Sequence, residues 1–287
     1  MDLDGFLWAR RRRLPFVVSL KGVIADELRN ERGLTRALLS IQARWERLNA
    51  RRADIVIAPS RYSADVAGLL YGVAAGKIVV VPEPIELERW TSLFAAARAR
   101  PRAGPTILCV ARMYPRKRVG DLLEAAALLR PRIPAARVRI VGKGPEWENV
   151  VRLHARLGLG ETVTLLGDVS RDSLAEEYVS ADIFCLPSVQ ESLGIVFLEA
   201  MAAGLPVVAC RAAAIPEVVE DGVTGLLAPP RDPAGLAGAL ETLAADPGRA
   251  GAMGEAGRRA VAAYATERVA ARFLEAVRLG VERGHSR

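Results

Sequence analysis

Glu191 and Glu199 are the two residues whose types and spacing most directly suggest chemistry. The stretch between them follows an apolar run and opens a helical pattern, with Gly194 near the start of the helix. The second glutamate lies about two helical turns beyond the first, so two carboxylates could accept hydrogen bonds from hydroxyls at two points of one elongated ligand. A helix N-terminus that ligand atoms can approach closely also binds anions. The block predicts a site for a polyol that carries phosphate, although either glutamate alone could be a solvated or capping carboxylate.

Four cations form a second cluster between the apolar run Thr106–Val110 and a helical pattern. Arg112 can hold phosphate oxygens in a bidentate manner, and Lys117 can add a point charge. Arg116 and Arg118 could instead face solvent, in which case the segment is a simple basic loop. The cluster predicts a phosphate-binding loop after a buried strand.

A third segment places Gly142 and Gly144 between a strand pattern and a helical pattern. It is only a GxG pair and lacks the third glycine of a dinucleotide-binding motif, so it predicts no dinucleotide. Glycines in such a turn more often relieve a steric conflict than contact a ligand.

Short apolar runs that alternate with helical patterns must position these residues. Runs without polar alternation are typical of a parallel sheet covered on both faces, and their repeated alternation with helices predicts a doubly wound α/β domain. The predicted strands are Thr106–Val110, Arg137–Val141, Thr162–Leu166, Ile183–Leu186, Val207–Cys210 and Gly225–Ala228. The predicted helices are Val119–Leu129, Glu146–Leu157, Arg171–Tyr178, Leu193–Ala203, Ile215–Glu220, Asp232–Ala244, Gly248–Tyr264 and Glu267–Glu282.

The first part of the chain shows a shorter version of the same pattern. It predicts strands at Phe16–Ser19, Ile55–Ala58 and Ile78–Val81, with helices at Gly33–Arg52 and Ser60–Leu70. Three strands are about half of a doubly wound domain and would leave an open edge and an uncovered face. We therefore expect either that the chain is truncated at its start or that a partner chain supplies the missing strands.

Five blocks of sequence, in order, resemble glycosyltransferase family 4, a group of retaining enzymes with the GT-B fold of two facing Rossmann-like domains. The Glu191-x7-Glu199 spacing resembles the EX7E signature of this family. The other blocks are "ARMYPRKRVGDLLEAAALL", "VGKGPE", "LLGDVSRDSLAEEYVSADIFCLPS" and "IPEVVEDGVTGLLAPPRDPAGLAGAL". The resemblance is dense over residues 105–265 and looser over residues 14–90. It implies a partial acceptor-side domain at 1–90, a linker at 91–104, a donor-binding domain at 105–265, and a helix at 266–287 that crosses back to the first domain.

The resemblance also implies roles for individual residues. Arg112 and Lys117 would bind the donor diphosphate and stabilise the leaving charge, Glu199 would bind the ribose hydroxyls, and Glu191 would contact the donor sugar. The remaining donor-binding residues would be Ser192, Leu193 and Gly194, together with Gly142 and Gly144. Arg112, Lys117 and Glu191 would be the catalytic residues, and no cofactor or metal would be required.

Three positions depart from the family pattern. Lys21-Gly22 stands where the family often has His-Gly, so the resemblance implies an acceptor-side role for these two residues only weakly. Glu83-Pro84 replaces an Asn-Gly turn, and Ala213-Ala214 replaces paired glycines.

The cysteines, histidines and charge of the chain favour neither a metal site nor a nucleic-acid-binding function. Cys109, Cys185 and Cys210 lie singly in apolar runs and suggest buried thiols in a reducing compartment, and the histidines form no metal cluster. Asp2-Leu3-Asp4 resembles a DxD metal motif but lies at the chain start, where we expect no site.

Residues 1–52 hold twelve Lys/Arg against six Asp/Glu, and this excess of six positive charges is most of the net charge of +7. Such a segment suits an anionic membrane or a phosphate-bearing acceptor, or is a solvated basic face, and no nucleic-acid-binding motif accompanies it.

The expected function is retaining transfer of a sugar from a nucleoside-diphosphate sugar to a glycan or lipid-linked acceptor. The first alternative is a nucleotide-sugar-binding fragment or subunit that needs a partner chain to catalyse. The second is a sugar-nucleotide epimerase or glycogen-type phosphorylase that shares the architecture. Neither a secretory signal nor a membrane span is evident, so we expect a cytoplasmic protein, with peripheral contact at the inner membrane surface as a further expectation.

Overall fold

The computed structural model describes residues 14–101 and 103–285 and is an α/β structure with parallel sheets, which confirms the predicted fold class. The chain divides into two compact units. Unit 1 comprises Met1–Pro84 and Thr266–Arg287, and unit 2 comprises Ile85–Ala265. The motif Asp2-Leu3-Asp4 lies outside the described residues.

The elements have the following bounds. The strands are β1 (Val17–Ser19), β2 (Ile55–Ala58), β3 (Ile78–Val80), β4 (Thr106–Val110), β5 (Arg137–Val141), β6 (Val163–Gly167), β7 (Ile183–Leu186), β8 (Val207–Cys210) and β9 (Gly225–Ala228). The α-helices are α1 (Ile24–Glu27), α2 (Gly33–Arg52), α3 (Arg61–Val66), α4 (Leu87–Ala96), α5 (Val119–Leu129), α6 (Trp147–Arg156), α7 (Arg171–Val179), α8 (Ile195–Ala202), α9 (Ile215–Val218), α10 (Pro233–Ala245), α11 (Pro247–Ala260) and α12 (Thr266–His285). A π-helical turn follows α3 at Ala67–Tyr71, and short 3-10 turns occur at Ala75–Lys77, Pro115–Lys117 and Val261–Tyr264.

The sheet of unit 1 has the order β1-β2-β3, and all its pairs are parallel. Its central strand β2 is buried throughout, which explains its unbroken apolar sequence. One face packs on α12 through Val269 and Ala276, and the other packs on a cluster that includes Ala50 of α2 and Val66 of α3. The expectation of an uncovered face is therefore wrong, because the C-terminal helix covers it. Among the described residues, β1 pairs on one side only.

Unit 2 contains a six-stranded parallel sheet in the order β6-β5-β4-β7-β8-β9. Each strand lies within one residue of its predicted position, because short, mostly apolar runs between helical patterns have few alternative interpretations in a buried parallel sheet. The order reverses direction between β4 and β7, the first and fourth strands of this unit. In doubly wound sheets, ligands bind beyond the carboxyl ends of the strands at such a reversal.

The predicted linker at 91–104 begins instead as helix, because α4 continues to Ala96. Trp90 is buried, stacks on Phe94 at 5.2 Å between ring centroids, and meets the ring of Tyr178 edge-on at 5.6 Å. The apolar residues Trp90, Leu93, Phe94 and Ala97 recur with helical spacing and pack on the core of unit 2. This part of the chain therefore belongs to the second unit rather than to a connector.

The three cysteines are free and buried, as the sequence predicts. Burial raises the pKa of the Cys109 thiol to about 12 and that of Cys210 to about 11. Both thiols therefore remain protonated at neutral pH, and these cysteines act as small core side chains.

A buried carboxylate joins α7, β5 and the segment after α4. Glu177 accepts hydrogen bonds from Arg139 Nε at 2.5 Å and Nη2 at 2.8 Å, and it also pairs with Arg100. Burial alone would raise the pKa of Glu177, but the hydrogen bonds from Arg139 and Arg100 outweigh it and hold the pKa below its ordinary value. The folded state therefore favours the ionised form, which stabilises the fold above the pKa of the unfolded chain.

We expect Glu177→Ala to lower the free energy of unfolding by about 3 kcal/mol, since it strips a buried ion-pair partner from two arginines that keep some contact with water. The melting temperature should fall by about 6–12 °C. The wild-type protein should lose this stabilisation as the pH falls from about 5 through the lowered pKa of Glu177, whereas the variant should show a flatter dependence over that range. Thermal melts between neutral and acid pH test both effects. Glu176→Ala, at the half-exposed neighbouring position that pairs with Arg100 only at 3.4 Å, is the control, and equal melting of the two variants would contradict the assignment.

Candidate functional site

The reversal of strand order in unit 2 brings together the loops that follow β4 and β7. The amide of Val189 donates to the carbonyl of Arg116 at 2.9 Å, and the fully buried Ser188 donates its hydroxyl to the same carbonyl at 3.2 Å. These bonds hold the basic loop after β4 against the loop that leads into α8. Two sequence blocks that lie more than 70 residues apart are thereby joined at one point of the sheet edge.

An ion pair between Lys117 and Glu191 lies at this junction. Lys117 Nζ is 2.5 Å from Glu191 Oε1, and both side chains are largely buried. Lys117 ends the 3-10 turn Pro115–Lys117, which lies where the loops after β4 and β7 meet. The structure therefore brings together the predicted phosphate-binding lysine and the first predicted glutamate.

The other cations of the basic loop have different partners. Arg118 adopts a left-handed conformation with φ of 52° and pairs with Asp121 in the first turn of α5, so it helps to start that helix. The guanidinium of Arg116 lies 4.8 Å from the centroid of the Tyr114 ring. Arg112 is exposed at the end of β4, with its guanidinium 5.5 Å from the same ring.

Arg112, Gly142 and Gly144 line one pocket of about 320 Å³ at the carboxyl ends of β4 and β5, together with Lys143 and Asp168. The amide of Lys143 donates to Asp168 Oδ1 at 3.0 Å, which fixes the glycine loop against the end of β6. The pocket is at the small end of the range for ligand sites and suits part of a ligand, such as a phosphate with its neighbouring group.

The two glycines are required by the close approach of the loops after β4 and β5. A Cβ on Gly142, which has φ of 107°, would lie 2.2 Å from the carbonyl oxygen of Ala111. A Cβ on Gly144 would lie 2.7 Å from the amide nitrogen of Met113. Their presence is therefore explained by packing, and the pocket that they line is a consequence of that packing.

Helix α8 begins at Ile195 rather than at the predicted Leu193, because Gly194 takes a left-handed conformation with φ of 93° as its N-cap. No side chain caps this end of the helix through a hydrogen bond. Ser192 and Leu193 lie in the turn between Glu191 and that end. Backbone amides at such a helix terminus favour an anion.

Glu199, in the second turn of α8, has a different environment from Glu191. It is half-buried and accepts a hydrogen bond from the hydroxyl of Tyr178 at 2.9 Å. Burial raises the pKa of Glu199, while the Tyr178 hydroxyl and the nearby charge of Arg171 act in the opposite direction. The two glutamates of the spacing motif thus have separate partners, one a lysine and the other a buried tyrosine.

Tyr178 is the functional candidate that sequence analysis missed. Its side chain is fully buried in an aromatic cluster with Trp90, Phe94 and Phe184, so the pattern of α7 marks it only as a core residue. No spacing within the sequence connects it with Glu199, because the two lie on different helices.

Lys21 and Gly22, the predicted acceptor-side residues, lie in unit 1 after β1. Lys21 Nζ is 2.8 Å from Glu83 Oε1 and 3.0 Å from Oε2, so two of the departures from the family pattern pair with each other. The lysine side chain is exposed. A third departure, Ala213, takes a left-handed conformation with φ of 49°, which alanine adopts only with strain.

The described residues contain neither a metal-binding cluster nor a helix that could span a membrane. Within residues 14–101 and 103–285, no group of three or more His, Cys, Asp or Glu side chains is placed to hold a metal ion. Over the same ranges, none of the helices combines the length and the hydropathy that crossing a bilayer requires.

Two family models match the chain. The model described as "Glycosyl transferases group 1" matches residues 104–246, which include the whole site in unit 2. The model described as "Glycosyltransferase Family 4" matches residues 2–89.

Similar proteins include curated enzymes and a solved structure. A GDP-mannose-dependent alpha-(1-6)-phosphatidylinositol monomannoside mannosyltransferase from Mycolicibacterium smegmatis is 37% identical over 72% of this chain and 57% of its own length. A D-inositol 3-phosphate glycosyltransferase from Kribbella flavida is 35% identical over 80% of this chain and 57% of its own length. This chain thus spans little more than half the length of these relatives. The crystal structure of Anabaena HepE in complex with UDP has a TM-score of 0.77 at 23% identity, covers 95% of this chain and 74% of its own, and supports the fold alone.

Proposed function

We propose a function on the premise that this chain belongs to the glycosyltransferases of group 1 and family 4. The chain transfers a sugar from a nucleoside-diphosphate sugar to an acceptor and retains the anomeric configuration of the donor. Unit 2 binds the donor. Arg112, Lys117 and the amides at the start of α8 face its diphosphate, Glu191 contacts the sugar, and Glu199 contacts the ribose.

The observation that carries this proposal is the ion pair between Lys117 and Glu191 at the reversal of strand order. A cation and a carboxylate in contact there can separate to bind neighbouring parts of one ligand, the phosphate and the sugar hydroxyls. Departure of the nucleoside diphosphate leaves negative charge on its phosphate oxygens. Fixed positive groups that face this charge stabilise the transition state more than the ground state. In this proposal the cations take the place of a metal ion.

The relatives suggest which substrates to test first. GDP-mannose is the first donor, because the mycobacterial relative is described as dependent on it. The acceptor is a glycan or a lipid-linked sugar, and phosphatidylinositol monomannoside is the first lipid to test. A lipid-linked acceptor is consistent with peripheral contact between the chain and an anionic membrane at the inner surface of the cell.

The test combines donor binding with product analysis. Calorimetry should detect binding of GDP, and incubation with GDP-mannose and acceptor should yield a mannosylated product whose linkage NMR shows to be α. A β linkage would contradict retention. Failure to bind any nucleoside diphosphate, by a protein that melts cooperatively, would contradict the proposal as a whole.

In a second candidate function, the chain alone binds the donor but does not transfer the sugar. Transfer then requires another polypeptide. This candidate is favoured by the three-stranded sheet of unit 1, in which β1 pairs on one side only among the described residues. Donor binding without turnover, followed by turnover when a second polypeptide is added, would support this candidate. Turnover by the isolated monomer would exclude it.

The environment of Glu199 gives a pH-dependent prediction. Its raised pKa means that the carboxylate gains a proton at a higher pH than an ordinary glutamate, so GDP affinity should fall as the solution is acidified through that pKa. Tyr178→Phe removes a hydrogen bond that favours the ionised form, so the fall should begin at a higher pH. Calorimetric titrations with GDP between about pH 5 and 8 measure this shift. An unchanged midpoint would contradict the role of Tyr178.

The substitution Glu199→Gln should affect GDP binding and the stability of the fold in opposite directions. The raised pKa means that the unfolded chain ionises first as pH rises, so ionised Glu199 destabilises the fold at neutral pH. The variant should therefore melt at the same temperature as wild type or higher, while its GDP affinity falls.

A further inference from the structure

A cavity of about 720 Å³ lies in unit 2 at the amino-terminal ends of β4, β7 and β8. Its wall includes Pro105, Asp182 and Pro206, the residues that directly precede these three strands. Ligands of doubly wound domains bind at the carboxyl ends of the strands, so this cavity is separate from the candidate donor site. It has more than twice the volume of the 320 Å³ pocket beside Arg112 and is of a size that encloses small organic ligands.

Three helices end at the cavity. Val179 ends α7, Ala203 caps the end of α8, and Ala244 lies in the last turn of α10, and all three residues line the cavity. Each helix C-terminus carries about half a negative charge on its terminal carbonyl groups, which a basic side chain nearby can offset. All three last turns lie within residues 103–285, and none of them contains a basic residue. The helices therefore place partial negative charge together at one cavity.

A carboxylate adds to this negative charge. Asp182 is half-buried between α7 and β7, and its Oδ2 atom accepts a hydrogen bond from the amide of Thr106 at 2.8 Å. Among the described residues that line the cavity, it alone has a side chain that is ionised at neutral pH. Arg258 lies nearby and donates to the carbonyl of Ala203 at 3.2 Å, but Glu255 pairs with it at 3.2 Å and balances its charge.

The N-terminus of α11 opposes part of the negative charge. Pro247, the first residue of α11, lines the cavity, and a helix N-terminus carries about half a positive charge. Asp182 and the three helix C-termini outweigh it and leave about two negative charges at the wall. The N-cap of α11 adds to this excess, because the side chain of Asp246 accepts from the amide of Arg249 at 2.9 Å. The cavity therefore favours a cationic ligand.

The wall favours an organic cation over a metal ion. A divalent metal ion needs several oxygen ligands around one point, and the described residues contain no group of three or more His, Cys, Asp or Glu placed to provide them. Leu205, Pro206 and Leu243 instead supply apolar surface, which fits the methylene groups of an alkyl chain.

We propose that this cavity binds a short aliphatic polyamine. Its ammonium groups lie against Asp182 and the carbonyl ends of α7, α8 and α10, and its methylene chain lies against the apolar part of the wall. An ammonium group donates up to three hydrogen bonds and accepts none, which suits a wall of carbonyl and carboxylate oxygens. The cavity uses none of the donor-binding residues, so the inference goes beyond the proposed function and does not rest on it.

The experiment is calorimetry of the purified chain with spermidine at neutral pH and constant ionic strength. Wild type should bind spermidine at least tenfold more tightly than a neutral diol of the same chain length. Asp182→Asn keeps an acceptor for the Thr106 amide but removes the charge, and it should weaken spermidine binding about tenfold or more. Asp172→Asn, at an exposed carboxylate in the first turn of α7, is the matched control and should bind as wild type does.

A second variant fills the cavity and removes no charge. Gly251 of α11 lines the cavity, and a Cβ at this position meets no atom within 4 Å, so Gly251→Trp starts without a clash. This variant should lose detectable spermidine binding. Ala252→Trp, at the next and exposed position of α11, is its control, because that residue does not line the cavity. All four variants should bind GDP as wild type does, since the donor site lies at the other end of the sheet.

Three outcomes would overturn the proposal. The first is a wild-type chain that does not bind spermidine. The second is spermidine binding that Gly251→Trp leaves unchanged, which would place the ligand elsewhere on the surface. The third is equal affinity for spermidine and the neutral diol, since the charge of the wall would then play no part. Thermal melts of each variant show that it is folded, and if Asp182→Asn melts early, Gly251→Trp decides.

Discussion

Replacing Lys117 by methionine should lower kcat/KM for sugar transfer by about 10²–10³-fold, the effect of losing one fixed donor to a developing negative charge. Lys117 is the proposed phosphate ligand that reaches across the reversal of strand order, where its Nζ atom lies 2.5 Å from Glu191. Methionine keeps an unbranched stem and removes the ammonium group with its charge and hydrogen-bond donors. Steady-state kinetics with GDP-mannose measures the effect on kcat/KM, and calorimetry with GDP separately measures the loss of affinity for the diphosphate.

The controls for Lys117→Met separate function from folding. The single variant leaves Glu191 buried without its cation, so it should also melt at a lower temperature. A double variant, Lys117→Met with Glu191→Gln, removes both charges and should recover much of this stability without recovering transfer. Arg156→Met, at an exposed position on α6, is the charge-matched control and should transfer as wild type does. Wild-type activity in the double variant would refute the proposed function of this pair.

Gly142→Ala should destabilise unit 2 by about 2–4 kcal/mol and abolish tight donor binding. The added methyl group would lie 2.2 Å from the carbonyl oxygen of Ala111, and alanine would have to adopt φ of 107°. Backbone atoms cannot move aside as a flexible side chain can, so the loops after β4 and β5 must separate. That movement displaces Arg112 from the pocket that it shares with this glycine.

Thermal melts and calorimetry with GDP test Gly142→Ala. The melting temperature should fall by about 4–16 °C. Gly160→Ala is the control, because a Cβ at that position meets no atom within 4 Å and the glycine has no positive φ. Wild-type stability and affinity in Gly142→Ala would mean that the loops tolerate separation and that the pocket is not part of the donor site.

The strands of unit 2 could be predicted from the sequence because buried parallel strands are short apolar runs between helical patterns, and Ile183–Leu186 and Val207–Cys210 have the predicted bounds. Helix α4 was missed, although its apolar residues recur with helical spacing. The arginines and prolines that follow it suggested a connector, and the burial of Trp90 against Tyr178 depends on tertiary packing that spacing does not encode.

The sequence suggested the residues of the site but not their pairing. The Glu191-x7-Glu199 spacing predicted one ligand held by two similar carboxylates, whereas the structure gives one a lysine partner and the other a tyrosine partner. The contact between Lys117 and Glu191 arises only when β4 and β7 become neighbours, which no local pattern specifies. The roles of these residues toward a donor remain predictions.

The two ends of unit 2 meet, because the amide of Ile85 donates to the carbonyl of Tyr264 at 2.9 Å and Ile85 pairs with Ala265. Unit 2 is thus a continuous insertion within the sequence of unit 1, and its first and last residues are held together by hydrogen bonds. During synthesis on the ribosome, it can complete its core before the last helix emerges. Unit 1 must wait for α12, whose Val269 and Ala276 cover β2. A nascent chain released early would therefore contain a folded unit 2 and an exposed, aggregation-prone sheet of unit 1.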